Sequence, residues 1–531
     1  MAHASVGDAD LNAFVFSRWT DRATDGAHFG VISPTCALDP RAVDAAEMRA
    51  AVLANAAALQ FQFHVTRTSE GSSRQHDVPW RQRCGRSVSS DSDADAPSAD
   101  DPSEARVRRY AEACRTLPKV ELHAHLNGCV RDETLMDCAR ANGIAVDAAE
   151  AALTKPDGTG ARSLQRCFDL FGVIHRVCTD LRSLERIAAE AVLDFAADGV
   201  AYLELRTTPK DVPERGVDKD SYCEAVLTGV DLGMRLVEAK RGHRAIVARL
   251  ILSVDRRESK DEATRTVCLA ARLRNLNRGV VGVDLSGNPT LGSWDTFHEP
   301  MKLARMLDLP VTLHCGELAN PREEEAMIDF RPERFGHCVK TVRDARLWAR
   351  LRASAVPVEL CITSNVITNS IHGGNGNGDG GNGVDIVDAA ANHHLGLMHA
   401  AGHPLCLCTD DPGIFSTDLS REYALAAVAF GLGDDDVRRL ATAAMGFAFL
   451  KGDDGALAEA ITSKLQADAA AWKGLPRTPL ERLGAALVLA RARLESGQLW
   501  STWRTMIRQT VGRWHTAATD VAADIALVGT A

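Results

Sequence analysis

Short apolar runs recur along this chain, and helical patterns fill most of the gaps between them. From Leu117 onward eight β-prone runs stand out: Val120–His125, Val200–Thr207, Ile246–Val254, Val280–Leu285, Val311–Cys315, Arg334–Cys338, Val356–Ile362 and Leu405–Cys408. Among the intervening patterns, Leu184, Ile187, Ala188, Ala191 and Phe195 fall on one helix face, with Gly199 placed to stop it. Strand–helix alternation predicts a parallel sheet, and eight such units predict a (β/α)8 TIM-type barrel. The sixth run, R-F-G-H-C, is the shortest of these signals.

The flanks read differently. Asp44–Phe63 has the spacing of an amphipathic helix, while Arg67–Arg86 is polar and irregular. Ser87–Glu104 is rich in Ser, Asp, Ala and Pro, too polar to collapse, and reads as a linker. The expected layout is an appendage over 1–105, largely disordered, then a barrel over 106–470 and a helical extension over 471–531. Beyond Gly452 the pattern is helical and amphipathic to about Gly512. Gly373–Gly383, G-G-N-G-N-G-D-G-G-N-G, reads as a flexible loop after the seventh strand. It fits either a tolerated insertion or a lid, and it lacks the context of a phosphate cradle.

Composition narrows the class. The 531 residues, 45% hydrophobic and 25% charged, suit a globular protein with a large core. A formal net charge of -10 argues against a general nucleic-acid or membrane-surface binder, while leaving room for one local basic pocket. No run of about 18 apolar residues exists, so no membrane span is expected. The 14 cysteines contain no C-x-x-C pair, and Cys406 and Cys408 share a strand face, poorly placed to bridge each other. Free thiols and a cytoplasmic setting follow as expectations.

The candidate chemistry sits at the ends of the runs. His123 and His125 in V-E-L-H-A-H point to one face of a strand, since side chains alternate with period two. His314 and Asp410 close two further runs, which permits a site of three imidazoles and one carboxylate, suited to a single Zn2+ with water completing the shell. A bound divalent ion brings the pKa of that water toward neutrality and makes a nucleophile of it. Glu317, past the fifth strand, either reaches a substrate or serves as a helix N-terminal carboxylate. His337 can orient or deprotonate the water, or be a satisfied core histidine. Asp411 follows Asp410, so one carboxylate can face the metal and the other the substrate. The sum points to metal-assisted hydrolysis.

These stretches resemble the adenosine/AMP deaminase family. The matching motifs are P-K-V-E-L-H-A-H-L-N-G (Pro118–Gly128), Y-L-E-L-R-T-T-P-K (Tyr202–Lys210), D-L-S-G-N-P (Asp284–Pro289), L-H-C-G-E (Leu313–Glu317), R-F-G-H-C (Arg334–Cys338), E-L-C-I-T-S-N-V (Glu359–Val366) and C-T-D-D-P-G-I-F-S-T (Cys408–Thr417). Within the family the chain is most similar to the N6-methyl-AMP deaminase branch. The resemblance implies that His123, His125, His314 and Asp410 bind zinc. It implies that Glu317 protonates purine N1, His337 assists attack at C6, Asp411 bonds N7, and the backbone of Gly287 meets N3. The other zinc deaminase design, with its P-C-x-x-C signature, is absent.

Substrate preference turns on Asn127. Adenosine deaminases resembling this chain carry an aspartate there, which would repel a 5′-phosphate, whereas an amide can donate to it. Thr207, Thr208 and Lys210 can add donors, or form an ordinary polar loop. Pro412 in T-D-D-P is similar to the nucleoside deaminases instead. The resemblance implies N6-methyl-AMP converted to IMP plus an amine in purine salvage, with adenosine as the alternative substrate and a silent nucleoside- or protein-binding barrel as the other class. A monomer whose partner is a small purine nucleotide is expected.

Overall fold

The computed structural model describes residues 102–146, 164–242, 245–368, 386–450 and 454–478. Eight strands lie in chain order, β1 Lys119–His125, β2 Val200–Thr207, β3 Val247–Asp255, β4 Val280–Ser286, β5 Val311–Cys315, β6 Arg334–His337, β7 Val358–Leu360 and β8 Leu405–Leu407. Every neighbouring pair is parallel. The ring closes where Ala124 bridges Asp410: Asp410 N donates to His123 O at 2.8 Å, and His125 N donates to Asp410 O at 2.9 Å. All eight runs read from the sequence are strands, and the barrel is the architecture they predict.

The helices between them form as their patterns dictate. Leu181–Ala197 buries Leu184, Ile187, Ala188, Ala191 and Phe195, is capped by Asp180 accepting from Ser183 N, and stops before Gly199 in the left-handed region at φ 80. Pro102–Cys114 packs against the helix Leu419–Phe430, and the end of Gly455–Ala471 is tied to it by Trp472 Nε1 donating to Ala113 O at 2.9 Å. No helix among the described residues is long and apolar enough to cross a membrane.

Three boundaries differ from the sequence reading. β7 spans three residues rather than Val356–Ile362, because the chain turns into a helix at Ile362–Ile367. Buried Glu422 accepts from Thr363 N at 3.1 Å and so satisfies one of the free amides of that early first turn. The helix at Pro102 begins inside the segment read as linker. After Ala471 the described chain, to residue 478, is no longer helical. The helical pattern at Asp44–Phe63, the Gly373–Gly383 tract and everything beyond 478 lie outside the described residues. The cysteines of the described residues are free, although Cys406 and Cys408 Sγ lie 3.8 Å apart.

Inside the barrel, ions replace much of the usual aliphatic filling. Arg334 on β6 pairs with Glu204 on β2 at 2.7 Å and with Glu359 on β7 at 2.5 Å, and all three are fully buried. The Arg334 guanidinium also lies 3.6 Å from the Phe449 ring centroid and donates to Phe447 O. Removing one partner of such a pair strands the others. Arg334→Met is expected to lower the unfolding free energy by about 3–5 kcal/mol in a denaturant titration.

Candidate active site

The catalytic face is assembled from strand ends. His123 and His125 leave β1 on one side, two residues apart, and His314 comes from β5. Asp410 follows β8 in a left-handed conformation, φ 64, which non-glycine residues rarely adopt. The closing bridge of the barrel holds it in that shape. Ser364 Oγ donates to Asp410 Oδ2 at 2.7 Å, which leaves Oδ1 facing the histidines.

Ring orientation is fixed from behind. His123 Nδ1 meets Glu359 Oε2 at 2.6 Å, and His314 Nδ1 meets Asp284 Oδ1 at 3.1 Å. Each carboxylate accepts a hydrogen bond from Nδ1–H, so Nε2 points into the site with its lone pair. Asp410 Oδ1 lies 3.3 Å from Nε2 of both His123 and His125, and the Nε2 atoms of His125 and His314 are 3.2 Å apart. One ligand atom from each of the four residues falls within 4.8 Å of the others. His123 Nε2 is buried and makes no hydrogen bond. Three converging imidazole nitrogens beside a carboxylate oxygen fit a divalent cation.

Against burial and Arg206, the Asp410 and Glu359 carboxylates raise the His123 pKa to about 9, so a cation bound there would displace a proton from that ring. Burial holds the pKa of His125 well below its usual value, so its ring is neutral. Against the cost of burial, the facing histidines keep Asp410 ionised, its pKa well below the carboxylate range. Around this centre the trend reverses. Burial raises the pKa of Glu317, and burial together with Asp410 raises that of Asp411 strongly. Asp411 Oδ1 is buried with no partner. Two carboxyls biased toward the protonated form thus flank an ionised one.

Asp411 dictates its neighbour. A Cβ on Gly128 would lie 1.9 Å from Asp411 Oδ1, so only glycine fits there. Gly287, just past β4, has φ 102, a conformation that favours glycine, and a Cβ there would lie 3.0 Å from Asp255 Oδ1. His337 ends β6 at φ 63, with Nε2 3.9 Å from Asp410 Oδ2. Burial pushes its pKa well below the usual imidazole value.

The residues expected at the substrate's far end gather beside this centre. Asn127 is buried, and its Nδ2 lies 3.1 Å from His175 Nε2. Thr207 is buried, and its hydroxyl is 2.7 Å from the Tyr222 hydroxyl. Thr208 and Lys210 are half-buried just past β2. Burial and then Arg257 lower the Lys210 pKa to about 7. Burial, Lys210 and Arg257 lower that of His175 further below its norm. Asp255 grips Arg257 through two bonds of 2.8 and 2.7 Å. Two cationic side chains, Lys210 and Arg257, thus crowd beside the neutral His175, with Asp255 the carboxylate that faces them.

Several of these groups escape the sequence reading. Glu359, Asp284, Ser364 and Asn365 stand inside quoted motifs, and a charge within an apolar strand run is the signal for the first two. Arg257 and His175 carry no such signal.

The family-level comparison now has its geometry. The adenosine deaminase family profile matches residues 118–465, and the chain belongs to that family of deaminating hydrolases. It is 43% identical over 362 residues to the N6-mAMP deaminase of Arabidopsis thaliana, covering 64% of this chain and 95% of that protein. It is 33% identical over 352 residues to the N6-methyl-AMP deaminase of Homo sapiens, covering 64% and 92%. The crystal structure of Arabidopsis ADAL complexed with IMP superposes with a TM-score of 0.59 at 40% identity, covering 68% of this chain and 99% of that one.

Asp284 orients a ligand without touching the ion position. Asp284→Asn is expected to weaken metal affinity by about 10–100-fold, read by competition with a chromophoric chelator.

Proposed function

We propose that this chain hydrolyses N6-methyl-AMP to IMP and methylamine, using one zinc ion, in purine salvage. The observation that carries the reading is the convergence of His123, His125, His314 and Asp410 beside two carboxyls whose pKa values are raised. Nitrogen and oxygen donors in that number suit zinc. A zinc ion there supplies water acidified toward neutrality.

The rest is done by the protein's own groups. Glu317, its proton favoured by burial, gives that proton to purine N1 and makes C6 electrophilic. Asp411, also favoured in its acid form, donates to N7 through a carboxyl that no protein group occupies at Oδ1. The backbone of Gly287 lies against N3. His337 faces the attacking oxygen from the Asp410 side. Water adds to C6, and as the C6–N6 bond breaks one of its protons leaves with the amine and the other restores Glu317 to its acid form. Acid groups thus sit where negative charge would otherwise collect on the ring nitrogens.

The 5′-phosphate takes the cationic corner. Asn127 and Lys210 donate to it, with Thr207 and Thr208 lining the loop, and Arg257 adds positive potential that the sequence reading did not foresee. An aspartate in place of Asn127 would stand beside the phosphate as a like charge. The Arabidopsis relatives named for N6-methyl-AMP and solved with IMP support the same substrate class.

Offered N6-methyl-AMP, AMP, adenosine and N6-methyladenosine side by side, the zinc-loaded protein is expected to turn over N6-methyl-AMP fastest, followed by ultraviolet absorbance and product chromatography. Faster turnover of adenosine would overturn the phosphate reading. Asn127→Asp is expected to reverse the nucleotide-over-nucleoside preference. A phosphate should raise the Lys210 pKa from about 7, so nucleotide KM should rise as pH climbs through 7 toward 9. Nucleoside KM should not follow it, and Lys210→Met should remove the pH dependence.

A further inference from the structure

A chain of side chains leads away from His337 on the side opposite the metal position. Its far end is unambiguous. Leu395 N donates to His393 Nδ1 at 3.1 Å, and a backbone amide can only donate. Burial, with His394 next, keeps the His393 ring neutral, its pKa well below normal. Its single proton is therefore on Nε2, which lies 3.0 Å from Asn365 Oδ1. That bond fixes the amide: Oδ1 accepts from His393, so Nδ2 is the group 3.2 Å from His337 Nδ1. Nδ2 can only donate, so His337 Nδ1 carries the lone pair. The His337 proton is on Nε2, toward Asp410 and the attacking oxygen.

We propose that His393 and Asn365 are positioning residues that hold His337 as its Nε2–H tautomer, making it a hydrogen-bond donor to the reacting oxygen rather than the base that deprotonates it. Asn365 lies in the short helix after β7, and His393 lies just before the helix Leu395–Ala400. His394 secures the other degree of freedom. Its Nε2 donates to His337 O at 2.6 Å and anchors the backbone carbonyl of a residue held in a left-handed conformation. The direction of every bond follows from one backbone amide. The proton that His337 presents orients the oxygen's lone pair toward C6, and acid work falls to Glu317.

This inference rests on the deaminase reading for the role of His337, but the tautomer itself does not. The first test is nitrogen NMR of histidine-labelled protein, with the His337 signals identified by their loss in His337→Gln. A protonated Nε2 and unprotonated Nδ1 are expected; the opposite pattern overturns the relay whatever the activity. Asn365→Asp, nearly isosteric, can only accept, and should move the His337 proton to Nδ1. Its kcat should fall by roughly a hundredfold with KM and metal content unchanged. His393→Leu, which frees the Asn365 amide to rotate, should also lower kcat, whereas His393→Gln, which keeps a donor toward Oδ1, should restore it. Equal kcat in Asn365→Asp and wild type would overturn the proposal. If the wild type deaminates none of the four purines, the function fails and the NMR pattern still decides the relay.

Discussion

Glu359 has no access to water and accepts four hydrogen bonds, from His123 Nδ1, Arg206 Nη2, Arg334 Nε and Thr312 Oγ1. Those donors come from β1, β2, β6 and β5, so one carboxylate on β7 ties most of the barrel together across its interior. An ionised carboxylate at that depth is tolerable only when paired and fully hydrogen-bonded. The arginines meet that need for Glu359, and Glu204 and Asp284 meet the needs of the arginines. The set is self-consistent only as a whole. Its consequence for the site is local: because Glu359 accepts a hydrogen bond from His123 Nδ1–H, Nε2 of that ring faces His125, His314 and Asp410. The interaction that makes a charged core affordable is also the one that orients the first ligand.

How far the sequence discloses this follows from what period and spacing can report. Period two places His123 and His125 on one face, and strand ends collect on one face of any parallel barrel, so the convergence of His123, His125, His314 and Asp410 was legible. Which side chain meets which across the barrel is not periodic. Glu359 and Asp284 are far from their histidines in sequence, and only the closed sheet brings them together. The seventh strand was over-read for a related reason. Val356–Ile362 is apolar throughout, but a tertiary partner, Glu422, begins the helix early. His175, from the helix Leu164–Val177, and Arg257, from the loop after β3, meet at Asn127 and Lys210 through tertiary packing that no local pattern announces.

The two ends of the site are electrostatic opposites, and each makes sense only beside the other. Around the ion position the ionised Asp410 is flanked by carboxyls shifted toward their neutral form. At Asn127 the surplus is positive, and Lys210 and His175 are both pushed toward neutrality by burial and by Arg257. A neutral nucleoside would leave that repulsion unrelieved. The proposed nucleotide, with its anion at one end and its basic ring nitrogens at the other, would relieve both imbalances, and one charge pattern would then set its orientation.

Two of the left-handed non-glycine residues among those described stand at the same place. His337 and Asp410, facing each other at 3.9 Å, are both left-handed. Neither could hold that conformation in an isolated loop at small cost. Asp410 is held because its amide and carbonyl are the rungs that close β1 on β8. His337 is anchored through its carbonyl by His394. Relaxing Asp410 would therefore open the barrel seam, and relaxing His337 would break contact with the segment that fixes its proton. The geometry at the reacting centre is maintained by the cooperativity of the whole ring, which lets two side chains stay in orientations that local sequence would never select.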